Sequence, residues 1–239
     1  MISTAKRPEI LHDGRVITYD EAHWNLLDRL RAEALRVLRQ IEDVGVKPMV
    51  HGSVARGDVS PTSDIDLIIL QQISSYKVEL ALGDKIFREV VQATPSSVLK
   101  GHIHLPGEIV VSFPLFKTLT REEAFYRWGG IISSDDIESN IRVPGVDKRL
   151  LLIEPTPNGH IESGVIDNEH LIAKRLNVNI DIAHERVRVL TRRNNVGRTG
   201  VYLNYRLKDS ETFEEVAKRL QDKDPALRRT IDRREGRRR

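Results

Sequence analysis

The chain has 239 residues, of which 39% are hydrophobic and 31% charged, with a formal net charge of +3. This length suits one large domain or two small ones, and the absence of cysteine excludes a disulfide framework or a thiolate metal site. No apolar run approaches the roughly 20 residues that span a bilayer, so we expect a soluble protein of the reducing cytoplasm.

The first predicted elements are a long helix and a strand. A capping-box pattern at residues 18–21 begins a helix that runs to about Val44, with leucines near helical spacing. Gly45 ends it, and residues 47–50 form the first strand. We expect the helix to pack against a sheet to which this strand belongs.

Residues 50 to 70 read VHGSVARGDVSPTSDIDLIIL and carry the main functional pattern. Gly52 and Ser53 follow the first strand, and a glycine at this point lets backbone approach a ligand closely. The residues up to Arg56 form the first turn of a short helix, whose free N–H groups would face a triphosphate. The pattern therefore predicts a phosphate-binding turn.

Two carboxylates follow on the next strand, DIDLIIL. Since side chains alternate along a strand, Asp64 and Asp66 are predicted to share one face. A cation relieves the repulsion between them, and Mg²⁺ prefers carboxylate oxygens together with phosphates and water. Two such ions can clamp the attacking and leaving oxygens of a phosphoryl displacement. Each part alone is common in turns and strand edges, but the conjunction predicts nucleotide and metal binding.

The stretch GSVARGDVSPTSDIDLIIL resembles the nucleotidyltransferase signature of the DNA polymerase beta superfamily, especially its minimal nucleotidyltransferases. The resemblance implies an α+β domain with a small mixed sheet and flanking helices. By this likeness, Gly52 and Ser53 hold a nucleoside triphosphate (NTP). Asp64 and Asp66 would bind Mg²⁺, with Mn²⁺ as an alternative. Arg56 either contacts phosphates or forms a surface salt bridge.

The resemblance covers about residues 20 to 120 and implies a third carboxylate on a later strand. In the predicted strand EIVVSFPLF, Glu108 is the acid, and we predict that it is the third metal ligand and general base. If the third ligand aligns nearer the proline, Ser112 takes its place and the base is missing. Asp84, Glu89 and the acids of the next helix are the other candidates.

The middle of the chain predicts further elements of this domain. Residues 77–91 are predicted as a helix, and 98–105 and 108–116 as extended strands separated by a Pro-Gly turn. Residues 120–128 are predicted as a helix whose aromatic side chains fill a core or stack on a base. The Pro- and Gly-containing segment 155–159 is the predicted domain linker.

Residues 168–206 resemble a helix-turn-helix followed by a wing. The first helix is predicted to end near Leu176, and Asn177 tolerates the left-handed conformation that such a turn requires. The second helix is predicted from Ile180 to Arg193, and the alternating VYLNYRL is the predicted wing strand.

Arginines concentrate in this region and at the C-terminus. They predict a basic face that neutralises phosphates of a nucleic acid, although such modules also serve packing or dimerisation. The final RRTIDRREGRRR predicts a basic tail that is disordered alone. The candidate nucleic-acid-binding residues are Arg186, Arg188, Arg192, Arg193 and, in the wing, Arg198.

Together these patterns predict a nucleotidyltransferase domain over residues 1–154, a helix-turn-helix-like domain over 160–227 and a basic tail over 228–239. The predicted reaction is Mg²⁺-dependent transfer of a nucleoside monophosphate from an NTP to a hydroxyl, favouring a nucleic-acid (RNA) 3′ end. Two alternatives stay open. One is a DNA-binding regulator whose nucleotidyltransferase fold only senses a nucleotide, and the other is an antitoxin-like enzyme that transfers AMP to a protein.

Overall fold

A computed structural model describes residues 7–197 and 200–236, and these residues divide into two compact units. Each unit is made of several separate segments of the sequence. The predicted domains are continuous segments instead, and their boundaries stay a prediction. Unit 1 takes residues 7–31, 51–63 and 124–197, and unit 2 takes residues 32–50, 64–123 and 200–236.

Strands and helices alternate along the described chain. No helix in its described ranges combines the length and the apolar character needed to cross a membrane. The first ten elements are β1 (Arg15–Thr18), α1 (Glu21–Glu42), β2 (Pro48–His51), α2 (Ser53–Arg56), β3 (Ile65–Ile69), α3 (Ser75–Ala81), β4 (Phe87–Gln92), β5 (Lys100–Leu105), β6 (Ile109–Pro114) and α4 (Thr120–Gly129). The next ten are β7 (Ile131–Ile132), α5 (Ser134–Glu138), β8 (Gly145–Val146), β9 (Leu151–Thr156), β10 (Gly159–Gly164), α6 (Glu169–Arg175), α7 (Ile180–Val196), β11 (Leu203–Arg206), α8 (Phe213–Lys223) and α9 (Pro225–Arg234).

The strands of unit 2 form a mixed sheet in the order β11-β4-β5-β6-β3-β2. β3 and β6 are parallel, whereas β5 is antiparallel to both β4 and β6, and β11 is antiparallel to β4. Alternate residues such as Leu67, Ile103 and Val111 are fully buried on one face. The other face carries polar residues, among them Asp66 and His104, and is partly accessible. This mixed α+β architecture is consistent with a nucleotidyltransferase fold.

Helix α1 agrees with the sequence prediction except at its start. Its last three turns bury Ala34, Leu38 and Ile41, which supports its predicted packing role. The predicted capping residue Thr18 lies in β1, and the carboxylate of Asp20 accepts the N–H of His23 at 2.8 Å instead. A carboxylate at this position satisfies one of the N–H groups that the first turn leaves without a partner.

The predicted helix over residues 77–91 is wrong in its second half. Helix α3 ends at Ala81, and Phe87–Gln92 forms β4, which pairs with β5 on one side and β11 on the other. Pairing between distant segments overrides local propensity here. The predicted strands over 98–105 and 108–116 are confirmed as β5 and β6, but Glu108 lies in the turn before β6.

Unit 1 contains a second sheet in the order β1-β10-β9-β8. The predicted linker over residues 155–159 is a β-hairpin in this sheet, because Pro155 pairs with His160 and Thr156 with Gly159. Proline and glycine punctuate hairpin turns as well as linkers, and the sequence alone did not distinguish the two.

Helices α6 and α7 and the turn between them lie where the sequence predicts. Asn177 has φ 51°, the left-handed conformation expected of the turn. The two helices bury Ile172 and Ile182 in a core that also contains Trp128 and Leu152, so the core interpretation of the aromatic segment is confirmed for Trp128.

The strand that we predicted as a wing is β11, which pairs with β4 in unit 2. Its alternating pattern fits the edge of any antiparallel sheet, and local sequence does not specify the partner. The two-helix part of the predicted helix-turn-helix is therefore present in unit 1, while its nucleic-acid-binding role stays a prediction.

The C-terminal segment differs from the predicted disordered tail. Residues 225–234 form α9, which buries Leu227 and Ile231. The guanidinium of Arg234 is also buried and donates two hydrogen bonds to Glu122, at 2.7 and 2.8 Å. Apolar residues at helical spacing within the arginine run explain this order, and residues 237–239 lie outside the described residues.

Candidate active site

The turn from Gly52 to Gly57 has a backbone that depends on its two glycines. Gly52 has φ 84° and ψ −141°, and Gly57 has φ 101°, conformations that side chains disfavour. A Cβ at Gly57 would also lie 2.6 Å from Cδ of Arg142. Helix α2 begins at Ser53, and the first N–H groups of a helix have no intrahelical acceptor. The turn therefore offers backbone donors to ligand oxygens, and the hydroxyl of Ser53 lies at the same helix start, where it donates to Oγ of Ser63 at 3.3 Å.

A buried arginine of α1 holds the other end of α2. Arg31 donates to the carbonyl oxygens of Val54 and Ala55, at 3.2 Å each, and to that of Ile141 at 2.8 Å. Burial, with repulsion from Arg142, lowers the pKa of Arg31 to about 10. A cation at the C-terminal end of a helix compensates carbonyl groups that lack intrahelical donors.

Arg56, the predicted phosphate contact, is committed to partners within unit 1. Its guanidinium forms a two-point ion pair with Asp58, at 2.9 and 3.0 Å, and donates to Gly129 O at 2.6 Å. Only 5% of the residue is exposed. This geometry favours a salt bridge over direct phosphate contact, and the salt bridge is buried rather than on the surface as expected.

Asp64 and Asp66 lie at the start of β3 in unit 2. Asp66 is within the strand and partly exposed, whereas Asp64 immediately precedes the strand and is exposed. Two accessible carboxylates supply hard oxygen donors and leave positions open to water or phosphate oxygens, which is the donor set that Mg²⁺ and Mn²⁺ accept. The residues present therefore fit the implied metal.

Glu108, the predicted third carboxylate, lies beside this end of β3. Its carbonyl oxygen accepts the N–H of Ile65 at 3.0 Å, so its backbone is at the level of Asp64. Glu108 is exposed and has φ 57°, which few residues other than glycine adopt. Within β6 itself, Val110 lies beside Asp66 and Ser112 beside Ile68. A carboxylate near Asp64 therefore comes from the turn rather than from the strand.

The other candidates for the third ligand are less well placed. Asp84 is exposed in the segment between α3 and β4. Glu89 lies on β4, three strands from β3 in the sheet order, which at about 4.8 Å per strand places their backbones about 14 Å apart. Glu89 and Asp66 therefore do not share one ion.

Glu89 belongs instead to a cluster with His102 and His104 on the same accessible face of the sheet. Its Oε1 lies 3.6 Å from Nδ1 of His102 and 3.0 Å from Nε2 of His104. Contacts with His102, and then with His104 and Asn204, outweigh burial and lower the pKa of Glu89 to about 2. This cluster was not predicted from the sequence, although the His-x-His spacing on a predicted strand is a signal that could have revealed it.

Unit 1 contains a polar cavity of about 300 Å³. The hydroxyl of Tyr19 lies 2.6 Å from Nδ1 of His160 at this cavity, and Nε2 of His160 lies 3.4 Å from Glu162. Burial, with the nearby Asp58, raises the pKa of Tyr19, and burial lowers the pKa of His160. Sequence patterns gave no indication of this network, because its members come from segments about 140 residues apart.

The structure separates the predicted arginines of α7 into two kinds. Arg188, Arg192 and Arg193 are exposed. Arg186 is half-buried with its guanidinium 5.0 Å from the ring centroid of Phe125, and burial, with repulsion from Arg193, lowers its pKa to about 10. Arg198 lies outside the described residues. Of the four predicted arginines on α7, three are therefore exposed.

Comparison with protein families identifies one segment. Residues 31–112 match the nucleotidyltransferase domain family, and the match spans the turn at Gly52 and the carboxylates Asp64 and Asp66. It supports a transferase that moves nucleoside monophosphates. Searches of curated proteins and of solved structures gave no match.

Proposed function

We propose that the protein transfers a nucleoside monophosphate from an NTP to a hydroxyl acceptor, with Asp64 and Asp66 as the ligands of Mg²⁺ or Mn²⁺. The observation that carries the proposal is the match of residues 31–112 to the nucleotidyltransferase domain. In support, Asp64 and Asp66 are accessible at the start of β3. The metal, when bound, would neutralise charge on the phosphates.

The residues of the chain have separate roles in this proposal. The backbone N–H groups after Gly52 and the hydroxyl of Ser53 bind phosphate oxygens. An acceptor hydroxyl oxygen attacks the α-phosphorus, forming a P–O bond while the bond to the β-phosphate oxygen breaks and pyrophosphate leaves. Glu108 takes the proton of the acceptor hydroxyl. Arg56 positions the turn through Asp58 and does not touch the substrate.

The proposed acceptor is a nucleic-acid 3′ end, most specifically that of RNA. Its support is the exposure of Arg188, Arg192 and Arg193 on α7, since exposed cations neutralise the phosphates of a nucleic acid. In this proposal α6 and α7 act as the nucleic-acid-binding helix pair, and the protein works in the cytoplasm. A protein hydroxyl and a purely nucleotide-sensing regulator are outcomes that the experiment distinguishes.

The test is to incubate the full chain with each α-labelled NTP, Mg²⁺, and total RNA and protein, and to ask which fraction acquires label. We expect labelled RNA. Replacing both carboxylates, Asp64→Asn with Asp66→Asn, should lower the rate at least about a thousandfold, since several kcal/mol of charge stabilisation are lost. The matched control is Asp13→Asn with Asp209→Asn, which removes two exposed carboxylates elsewhere.

Label in protein would identify a protein-modifying enzyme and overturn the RNA acceptor. No label in any fraction, together with tight binding to a DNA site, would overturn the enzyme and favour the regulator. If RNA is labelled, Arg192→Ala with Arg193→Ala should weaken RNA binding and reduce the slope of log affinity against log salt by about 2.

A further inference from the structure

Three side chains of metal-binding type meet on the accessible face of the unit 2 sheet. They are Glu89, His102 and His104, and their potential ligand atoms all lie within 4.8 Å of one another. This cluster is separate from the residues proposed for nucleotidyl transfer. Its chemistry therefore needs its own explanation.

The strand pattern brings these side chains together. His102 and His104 are two residues apart on β5 and so share a face. In the antiparallel pairing of β4 with β5, Glu89 lies opposite His102 and Phe87 opposite His104. The three side chains project from two neighbouring strands, which fixes the separation of their backbones.

Neighbouring side chains hold two members of the cluster in orientation. Nδ2 of Asn204 donates to Oε2 of Glu89 at 3.0 Å, which leaves Oε1 directed at the histidines. The ring of His104 stacks on that of Phe87, with the ring centroids 3.9 Å apart and the ring planes at 14° to each other. Such outer contacts are typical of metal sites, where they orient ligands before the ion binds.

The distances suit one tetrahedral ion. Ligand atoms about 2.1 Å from a tetrahedral zinc ion lie about 3.4 Å from one another. The separations from Oε1 of Glu89, 3.0 Å to His104 and 3.6 Å to His102, bracket this value. Binding therefore requires shifts of a few tenths of an ångström for these pairs.

We propose that Glu89, His102 and His104 form a binding site for Zn²⁺ or a similar divalent transition metal. Two imidazoles and one carboxylate are a zinc donor set, whereas Mg²⁺ prefers oxygen ligands alone. Three protein ligands leave a fourth position, and the side chains are 15 to 23% exposed, so solvent or an anion reaches it.

This site is independent of the proposed transferase centre. His104 lies two strands from Asp66 in the sheet order, which corresponds to about 10 Å between their backbones. Asp66 also lies outside the group of side chains whose ligand atoms are all within 4.8 Å of one another. Failure of either proposal therefore leaves the other standing.

The test uses the full chain after removal of metals with a chelator. Zn²⁺ and Co²⁺ are titrated separately in the presence of excess Mg²⁺, which occupies oxygen-rich sites. The absorption spectrum of bound Co²⁺ reports whether nitrogen atoms are ligands. We expect the chain to bind one equivalent of Zn²⁺ or Co²⁺. His102→Gln with His104→Gln should weaken binding at least about a hundredfold, because two of three ligands are lost. The matched control is His170→Gln with His184→Gln, which removes two exposed histidines of α6 and α7.

Two further variants separate metal binding from folding and from catalysis. Asn204→Ala should weaken Zn²⁺ binding about 10- to 100-fold while circular dichroism and the unfolding midpoint without metal stay unchanged. Asp64→Asn with Asp66→Asn should bind Zn²⁺ as the wild type does. The proposal would be overturned if the wild type and the His102→Gln, His104→Gln variant bound Zn²⁺ equally well. It would also be overturned if the wild type bound no stoichiometric Zn²⁺. In either case the three side chains would form a hydrogen-bonded cluster only.

Discussion

The turn from Gly52 to Gly57 in unit 1 and the accessible face of the unit 2 sheet use charged residues differently. Around the turn, Arg31 and Arg56 are buried and donate to carbonyl or carboxylate oxygens of the protein. On the sheet side, Asp64 and Glu108 are exposed. Buried charges require fixed partners, whereas accessible ones can exchange water for a ligand. The comparison teaches that an arginine inside a functional sequence pattern can have a structural role, while acids of the same pattern stay accessible to solvent.

The largest expected effect concerns Glu108, one of the exposed acids beside the sheet of unit 2. Glu108→Gln should lower the transfer rate by about 10²- to 10⁴-fold, because a general base is lost. The urea unfolding midpoint should stay unchanged, since the side chain is exposed. Rates at saturating substrate and unfolding curves measure the two outcomes.

Asp84→Asn serves as the control for Glu108, because it removes another exposed acid of unit 2. Full activity of Glu108→Gln combined with inactivity of Asp84→Asn would reassign the base. Full activity of both would indicate a centre without a third carboxylate.

The next effect concerns Arg56, one of the two buried arginines around the turn. Arg56→Ala leaves the carboxylate of Asp58 buried without its ion-pair partner, so the free energy of unfolding should fall by about 3–5 kcal/mol. Urea denaturation measures it. Arg188→Ala, at an exposed position, should change the same quantity by less than about 0.5 kcal/mol. Unchanged stability of Arg56→Ala with weakened NTP binding would make Arg56 a phosphate ligand.

The smallest effect is a pH dependence at the pair of Glu122 and Arg234. Burial raises the pKa of Glu122, but hydrogen bonds from Arg234 and from backbone N–H groups outweigh it and leave the pKa below its usual value. The folded state therefore favours the carboxylate. Its stabilising contribution is fully present above the pKa of the unfolded chain and is lost as pH falls through the lower folded value.

Unfolding free energies measured from neutral to acidic pH check this dependence. The wild type should lose stability over that range relative to Glu122→Gln, and the difference between the two proteins should shrink as pH falls. Parallel curves would show that the pair does not contribute.

Features set by neighbouring residues were predictable from the sequence. The turn at Gly52 follows from a strand, a glycine and a short helix in succession, and Asn177 identified the turn between α6 and α7. The start of β3 directly after Asp64 was likewise predictable from local sequence, because the apolar residues there alternate with the carboxylate of Asp66. These elements carry most of the residues in the transferase proposal.

Features that depend on distant partners were not predictable. Residues 87–92 contain good helix formers, yet they form β4 because β5 and β11 pair with it. The cluster at Glu89 requires the register of two strands, and the partners of Arg56 include a carbonyl 73 residues away. Glu108 has the expected identity, but its φ of 57° places it in a turn that alternation along a strand does not describe.

The pairing of β11 with β4 has a consequence for how the protein is made. Residues 203–206 cover an edge of the unit 2 sheet, and an uncovered strand edge is a template for pairing with other chains. During synthesis this edge stays open until the ribosome has released residues past 206, since domains form as their segments emerge. A protein shortened before residue 200 should therefore aggregate, even though it retains the whole segment that matches the nucleotidyltransferase family.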